Sequence, residues 1–230
     1  MKISISQALL SLKSRINEAV SKNQRTADSV LLLAVSKTQP ATAVIEAAKA
    51  GQIHFGENYL QDALPKITTL KEGGYSLQWH YIGPIQSNKT KAIAENFQWV
   101  HSVDRLKIAQ RLNEQRPEDL QPLNICIQVN ISEEPQKSGI HPTDLLPLAT
   151  EIMQLPKLKL RGLMAIPSSN ASEQQCRADF AAVKKLLASL PESPGLDTLS
   201  MGMSNDLEAA IAEGSTMVRV GTAIFGEREK

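Results

Sequence analysis

Eight short runs rich in apolar and β-branched residues, alternating with stretches of helical period, predict an α/β chain folded as a single-domain (β/α)8 TIM barrel. The runs lie at 31–35, 53–55, 79–82, 99–101, 125–129, 160–165, 198–201 and 217–220. Several are apolar almost throughout, as suits parallel strands covered on both faces. An open doubly wound sheet is the competing arrangement, and it usually places a glycine-rich phosphate turn after its first strand. This first strand runs instead into Ser36-Lys37-Thr38-Gln39-Pro40, which contains no glycine. The closed barrel is therefore preferred.

Between the strands, helical stretches such as 40–50, 105–116, 145–154, 176–190 and 206–213 carry their apolar residues on one face. After the eighth strand only residues 221–230 follow, too few for a full outer helix. At the other end, residues 6–22 place Leu9, Leu12, Ile16 and Val20 at helical spacing. This extra N-terminal helix, within residues 1–22, is expected to pack on the barrel and cover the gap beside strand eight. No linker, low-complexity tract or internal repeat interrupts the 230 residues, so one domain over 1–230 is expected.

A formal charge of +1 gives no field that would select nucleic acid or an anionic membrane as partner. The two cysteines, Cys126 and Cys176, have no metal-ligand or redox-motif neighbour and read as unrelated free thiols, which suits a reducing cytoplasm. Met1-Lys2-Ile3-Ser4-Ile5 lacks the apolar core of a signal peptide, and no run approaches membrane-spanning length. A cytoplasmic protein is expected. His54, His101 and His141 show no metal-ligand spacing, so no metal is expected. His80, in Trp79-His80-Tyr81, reads as a satisfied structural group. Lys89 and Lys91 read as a solvated helix start, and Lys137-Ser138-Gly139 as a lip of the barrel mouth.

Lys37 follows five apolar residues and precedes what reads as a helix start, which puts it at the C-terminal end of the first strand. That is the catalytic face of barrel enzymes. A partly desolvated lysine there loses its proton more readily and can attack an aldehyde. Taken alone, the feature favours a lysine whose ammonium simply reaches water. The other end of the chain shifts the balance, because barrel phosphate sites are typically built from the loops after strands seven and eight. After strand seven, Gly202-Met203-Ser204-Asn205-Asp206 leads into a helix, which Ser204 is expected to cap while presenting its hydroxyl to a phosphate. After strand eight, Gly221-Thr222 supplies a close-approach backbone position followed by a hydroxyl. Arg219 alternates with Val218 and Val220 on an otherwise apolar strand. It suits either an ion pair across the barrel or a partner for a pyridine nitrogen.

The strings LLLAVSKTQP, FGENYLQDAL, WHYIGPIQSNK, RGLMAIP, LSMGMSNDLEAAI and MVRVGTAIFG occur in this order and together resemble the pyridoxal 5′-phosphate (PLP) homeostasis proteins, also called the proline-synthetase co-transcribed family. The likeness runs from about Leu31 to Gly226, with the N-terminal helix less diagnostic. It implies the barrel of the alanine-racemase N-terminal domain, PLP fold type III. It further implies a Schiff base between PLP and Lys37, with Arg219 at the pyridine nitrogen. Ser204, Gly221 and Thr222 would hold the phosphate, and Asn58 would line the pocket near the ring.

The function this implies is reversible binding of PLP and its supply to apo-enzymes, with effects on amino-acid and keto-acid balance and no catalytic residues. A PLP-dependent amino-acid racemase is the alternative. It needs proton transfer on both faces of a carbanion, and only Lys37 offers itself. Alanine racemases carry a further C-terminal β domain that contributes a tyrosine base to the partner subunit's site. Nothing after Phe225 supplies such a domain, and a monomer is expected.

Overall fold

The computed structural model describes residues 3–168 and 170–226. The chain opens with α1 (Ile5–Lys22), whose start is fixed by a capping box between Ser4 and Gln7. Strand and helix then alternate: β1 (Leu31–Val35), α2 (Ala41–Lys49), β2 (His54–Glu57), α3 (Leu60–Glu72), β3 (Gln78–Tyr81), α4 (Thr90–Asn96), β4 (Trp99–Val103) and α5 (Leu106–Gln115). The second half repeats the pattern with β5 (Leu123–Gln128), α6 (Leu145–Met153), β6 (Leu158–Met164), α7 (Glu173–Ala188), β7 (Thr198–Ser200), α8 (Leu207–Ala212), β8 (Met217–Val220) and α9 (Thr222–Phe225). The strands pair in chain order and close into a parallel barrel. Closure is made by β1 on β8, with Leu31 beside Met217 and Leu33 beside Arg219.

Burial explains why the strands read as continuous apolar runs. In β1, β4 and β8 nearly every residue is buried, because one face meets the barrel interior and the other meets the helices. Helix α1 packs against α2, α8 and α9, burying Leu9, Leu12, Ile16, Ala19 and Val20. It takes the outer position that the four-residue α9 is too short to fill. Among the described residues no helix is long and apolar enough to cross a membrane. Cys126 and Cys176 are free and buried.

The interior differs from the usual barrel filling of branched aliphatic layers. Its apolar cluster is small, formed by Leu33, Trp99, Cys126, Met164 and Met217. Polar side chains are buried as well, among them His80, His101, Ser200 and Arg219.

One bulge re-aims a side chain at the N-terminal end of the barrel. Between β5 and β6 the register steps from Ile125 opposite Leu160 to Cys126 opposite Gly162, leaving Arg161 as the extra residue. Arg161 donates to the Gly195 carbonyl at 2.8 Å and to both carboxylate oxygens of Asp197 at 2.9 Å. The bulge depends on Gly162, which has φ +153° and whose missing Cβ would fall 1.8 Å from the Thr198 carbonyl oxygen. Gly162→Ala is expected to cost about 3 kcal/mol or more through backbone strain and overpacking. Urea unfolding measures it, and a cost under about 1 kcal/mol would show that β6 and β7 shift freely.

Candidate functional site

At the C-terminal mouth, β1 ends in a tight turn in which Gln39 N–H donates to the Ser36 carbonyl at 3.0 Å. Thr38 sits in this turn at φ +65°, a strained conformation for a β-branched residue. The turn presents Lys37, half-buried, to the mouth. A buried polar cluster supports it from below. Lys66, from α3, donates to the Ser36 carbonyl at 2.8 Å and pairs with Glu57 at 2.5 Å, while Ser36 Oγ donates to the same carboxylate at 2.6 Å. Burial pushes the Glu57 carboxyl up, opposed by the Lys66 charge and by both hydrogen bonds. Breaking such a buried pair on one side costs far more than the pair contributes, so the turn is held in place.

Asn58 follows β2 directly, with its backbone pressed against Gly83, where a Cβ would lie 2.2 Å from the Asn58 carbonyl oxygen. Its Oδ1 is buried and has no protein partner among the described residues. The loop after β7 passes through Gly202, whose φ of +95° and close approach to Ala210 demand glycine. The Gly202 carbonyl accepts the Arg219 backbone N–H at 2.9 Å, tying this loop to β8.

Ser204 does not cap α8. Asp206 occupies the N-cap position, and its carboxylate accepts from Met203 N–H at 2.6 Å, closing the loop on itself. Ser204 instead offers its carbonyl to Arg15 of α1 at 3.0 Å. Its half-buried side chain lies beside the mouth. After β8, Gly221 brings the backbone close to β1, since a Cβ there would meet the Val35 carbonyl at 3.0 Å.

These elements enclose a cavity of about 210 Å³ lined by Lys37, Asn58, Ser204, Arg219, Gly221 and Thr222 together. All six residues singled out in the sequence thus share one wall system. Apolar side chains complete it: Val35, Ile82, Met164, Ile166, Met203 and Phe225. These were not singled out, because a strand-end aliphatic looks the same in sequence whether it faces a cavity or a helix.

Arg219 is buried, and its guanidinium is held by neutral acceptors. It donates to the Ser200 carbonyl, to Ser200 Oγ at 2.8 Å and to the Ala165 carbonyl at 3.0 Å. Of its five N–H groups, Nε–H and one on Nη2 have no protein acceptor among the described residues. Burial lowers its pKa to about 10, against the raising effect of Asp206 and Cys126, so it stays cationic at neutral pH. Burial also pushes the Cys126 thiol up to about 12. Among the described residues no His, Cys, Asp or Glu cluster has the arrangement to hold a metal ion.

Comparison with known proteins bears on the chain as a whole. The alanine racemase N-terminal domain model matches residues 13–229. A pyridoxal phosphate homeostasis protein of Pseudomonas aeruginosa is 59% identical over 98% of this chain and 96% of its own. One of the same name from Escherichia coli K12 is 50% identical over 98% of this chain and 97% of its own. The chain belongs to the pyridoxal phosphate homeostasis protein family. A solved structure of another relative, PipY of Synechococcus elongatus with PLP bound, superposes with a TM-score of 0.80 at 39% identity, covering 92% of this chain and all of PipY. The barrel of this homeostasis-family chain is therefore the alanine-racemase type.

The buried histidines give this family member a pH signature. Burial holds His80 well below its ordinary 6.5, aided by His101 and His54, and holds His101 at about 3, aided by Arg219. Both are neutral in the folded protein at pH values where the unfolded chain takes up protons. Their stabilisation is complete above about pH 6.5 and is lost as pH falls toward 3. Urea unfolding should show stability declining in that window with a slope of up to about 1.4 kcal/mol per pH unit for each histidine. His101→Gln should flatten the slope by one proton, and an unchanged slope would contradict neutral burial.

Proposed function

We propose that this protein binds PLP reversibly, joined covalently through Lys37 Nζ, and holds it as a monomeric cytoplasmic carrier that supplies PLP-dependent apo-enzymes. The observation that carries this reading is the convergence of Lys37, Asn58, Ser204, Arg219, Gly221 and Thr222 on one cavity from four strand ends. The residues fit the group. The amine of Lys37 would hold the aldehyde carbon as a Schiff base. One of the two uncommitted N–H groups of Arg219 would donate to the pyridine nitrogen. The hydroxyls of Ser204 and Thr222, with the close backbone at Gly221, would hold the phosphate. Asn58 Oδ1, buried without a protein partner, would meet a polar edge of the ring.

When bound, PLP supplies a reactive aldehyde and an electron-withdrawing ring. An arginine donor at the ring nitrogen disfavours protonation there and weakens the withdrawal. Racemisation also requires a second proton-transfer group opposite Lys37. The cavity lining among the described residues adds no histidine, cysteine, tyrosine or carboxylate to Lys37 and Arg219. Both points support a carrier over a racemase, as do the names of the relatives.

The covalent link is tested by borohydride reduction and peptide mapping. The pyridoxyl label is expected on the peptide containing Lys37, and Lys37→Ala should abolish the visible absorption band while the barrel stays folded. A label mainly on another lysine overturns the assignment. The phosphate contacts are tested separately by Ser204→Ala and Thr222→Val. Each is expected to weaken PLP binding about tenfold, from the loss of a hydrogen bond to a charged group worth roughly 1.5–3 kcal/mol. Pyridoxal binding should be almost unchanged, and equal losses for both ligands would assign these residues to folding.

A further inference from the structure

Inside the barrel three imidazoles touch end to end. His54 Nδ1 lies 3.0 Å from His80 Nε2, and His80 Nδ1 lies 2.9 Å from His101 Nε2. His101 Nδ1 lies 2.8 Å from Ser200 Oγ, which also receives Arg219 Nη1–H at 2.8 Å. His80, His101 and Ser200 have no exposed surface, and His54 is half-buried. His54 opens β2, whereas Ser200 closes β7, so the line climbs from the N-terminal end of the barrel to the cavity wall.

Counting protons gives the line a direction. Arg219 has only donors, so Ser200 Oγ accepts from it, and the hydroxyl proton must go elsewhere. The acceptor in reach is His101 Nδ1. A neutral imidazole has one donor and one acceptor. His101 then donates from Nε2 to His80 Nδ1, and His80 donates from Nε2 to His54 Nδ1. The reverse direction would aim His101 Nδ1–H at Ser200 Oγ and strand the hydroxyl proton inside the barrel. The His80 ring plane is set independently of these bonds. His80 stacks on Trp99 at 5.3 Å and 10°, and Arg161 lies 4.8 Å over the Trp99 ring.

We propose that Ser200, His101 and His80 are positioning residues for Arg219: a one-way line of neutral imidazoles, anchored at His54, that fixes the Ser200 oxygen as an acceptor and aims the guanidinium into the cavity. The role rests on the reading that Arg219 meets the pyridine nitrogen, but the line belongs to the protein alone and is measurable without PLP. Burial, which depresses the pKa of His80 and His101, keeps the line neutral. The charged and titratable groups around it are Lys13 and Asp28, which share a small cavity with His54, Arg161 over Trp99, and Cys126 and Asp206 near Arg219.

The test is histidine-labelled 15N NMR of the PLP-free protein, followed by binding measurements on two variants. His80 and His101 are expected as Nε2–H tautomers at pH 7.5 (about one unit above the ordinary histidine pKa). An Nδ1–H tautomer at either residue, or titration of His101 near the ordinary histidine value, overturns the proposal. In the second step, His101→Leu should lower affinity for PLP and for pyridoxal about tenfold alike, because both carry the ring nitrogen. His101→Gln, whose amide both accepts and donates, should restore most of it. Full affinity in the leucine variant would mean that His101 only fills space, which also overturns the proposal. Absence of any pyridoxyl label at Lys37 would instead remove the cofactor reading and leave the tautomer result standing.

Discussion

The structure turns on a single costly act, the burial of the Arg219 cation inside a parallel barrel. A guanidinium taken out of water must be surrounded by acceptors or its strand will not stay in place. No carboxylate contacts it among the described residues. The Ser200 side chain and the Ser200 and Ala165 carbonyls do so instead. Those acceptors come from β7 and the end of β6, so satisfying Arg219 also fixes how the last three strands meet. The loop after β7 is drawn into the same arrangement through the Gly202 carbonyl. Burial is the main reason that His80 and His101 stay neutral, and the cation next to His101 adds to it there.

The opposite wall of the cavity solves a different problem. For the proposed link to PLP, Lys37 must be exposed enough to react and still be held in one place. Its neighbours accomplish this through backbone: the turn hydrogen bond from Gln39 and the bond from Lys66 converge on the Ser36 carbonyl. Glu57 neutralises Lys66 beneath the turn, so the supporting charge is balanced before the mouth is reached. The strain at Thr38 is tolerated because the structure on both sides of it is fixed. Two nitrogen-bearing side chains, Lys37 and Arg219, therefore line one cavity, each held by its own strand end.

The barrel was legible in the sequence because parallel strands covered on both faces leave an unmistakable run of apolar residues, as 31–35 and 217–220 do. The packing of α1 was also legible, since Leu9, Leu12, Ile16 and Val20 recur at helical spacing and all are buried. Arg219 stood out as the lone charge in an apolar strand, and Lys37 as the lysine just beyond the end of another. What could not be read was anything that depends on which face of a buried strand points inward. Helix α3 was not singled out, and it carries Pro65 within it. The cap of α8 was assigned to Ser204 because Ser204 and Asp206 are both good N-cap residues two positions apart, and Asp206 occupies the position. The histidine line was illegible for a stronger reason. Its members come from four strands, with His101 and Ser200 separated by 99 positions, and no spacing rule connects them.

That line is hard to explain as a device for stability. Three imidazoles in the middle of a barrel displace the aliphatic side chains that would bury more apolar surface, and all must remain uncharged as pH falls. Replacement of buried polar networks by well-packed apolar residues is often neutral or stabilising. Proteins keep such features where function requires a group to be held in one orientation. The position of the line supports that account. It ends on Ser200, and Ser200 is the oxygen that receives Arg219 beside the cavity. A barrel packed with leucine would hold Arg219 less firmly, because nothing in it would accept the Ser200 proton and so leave its lone pair to the guanidinium.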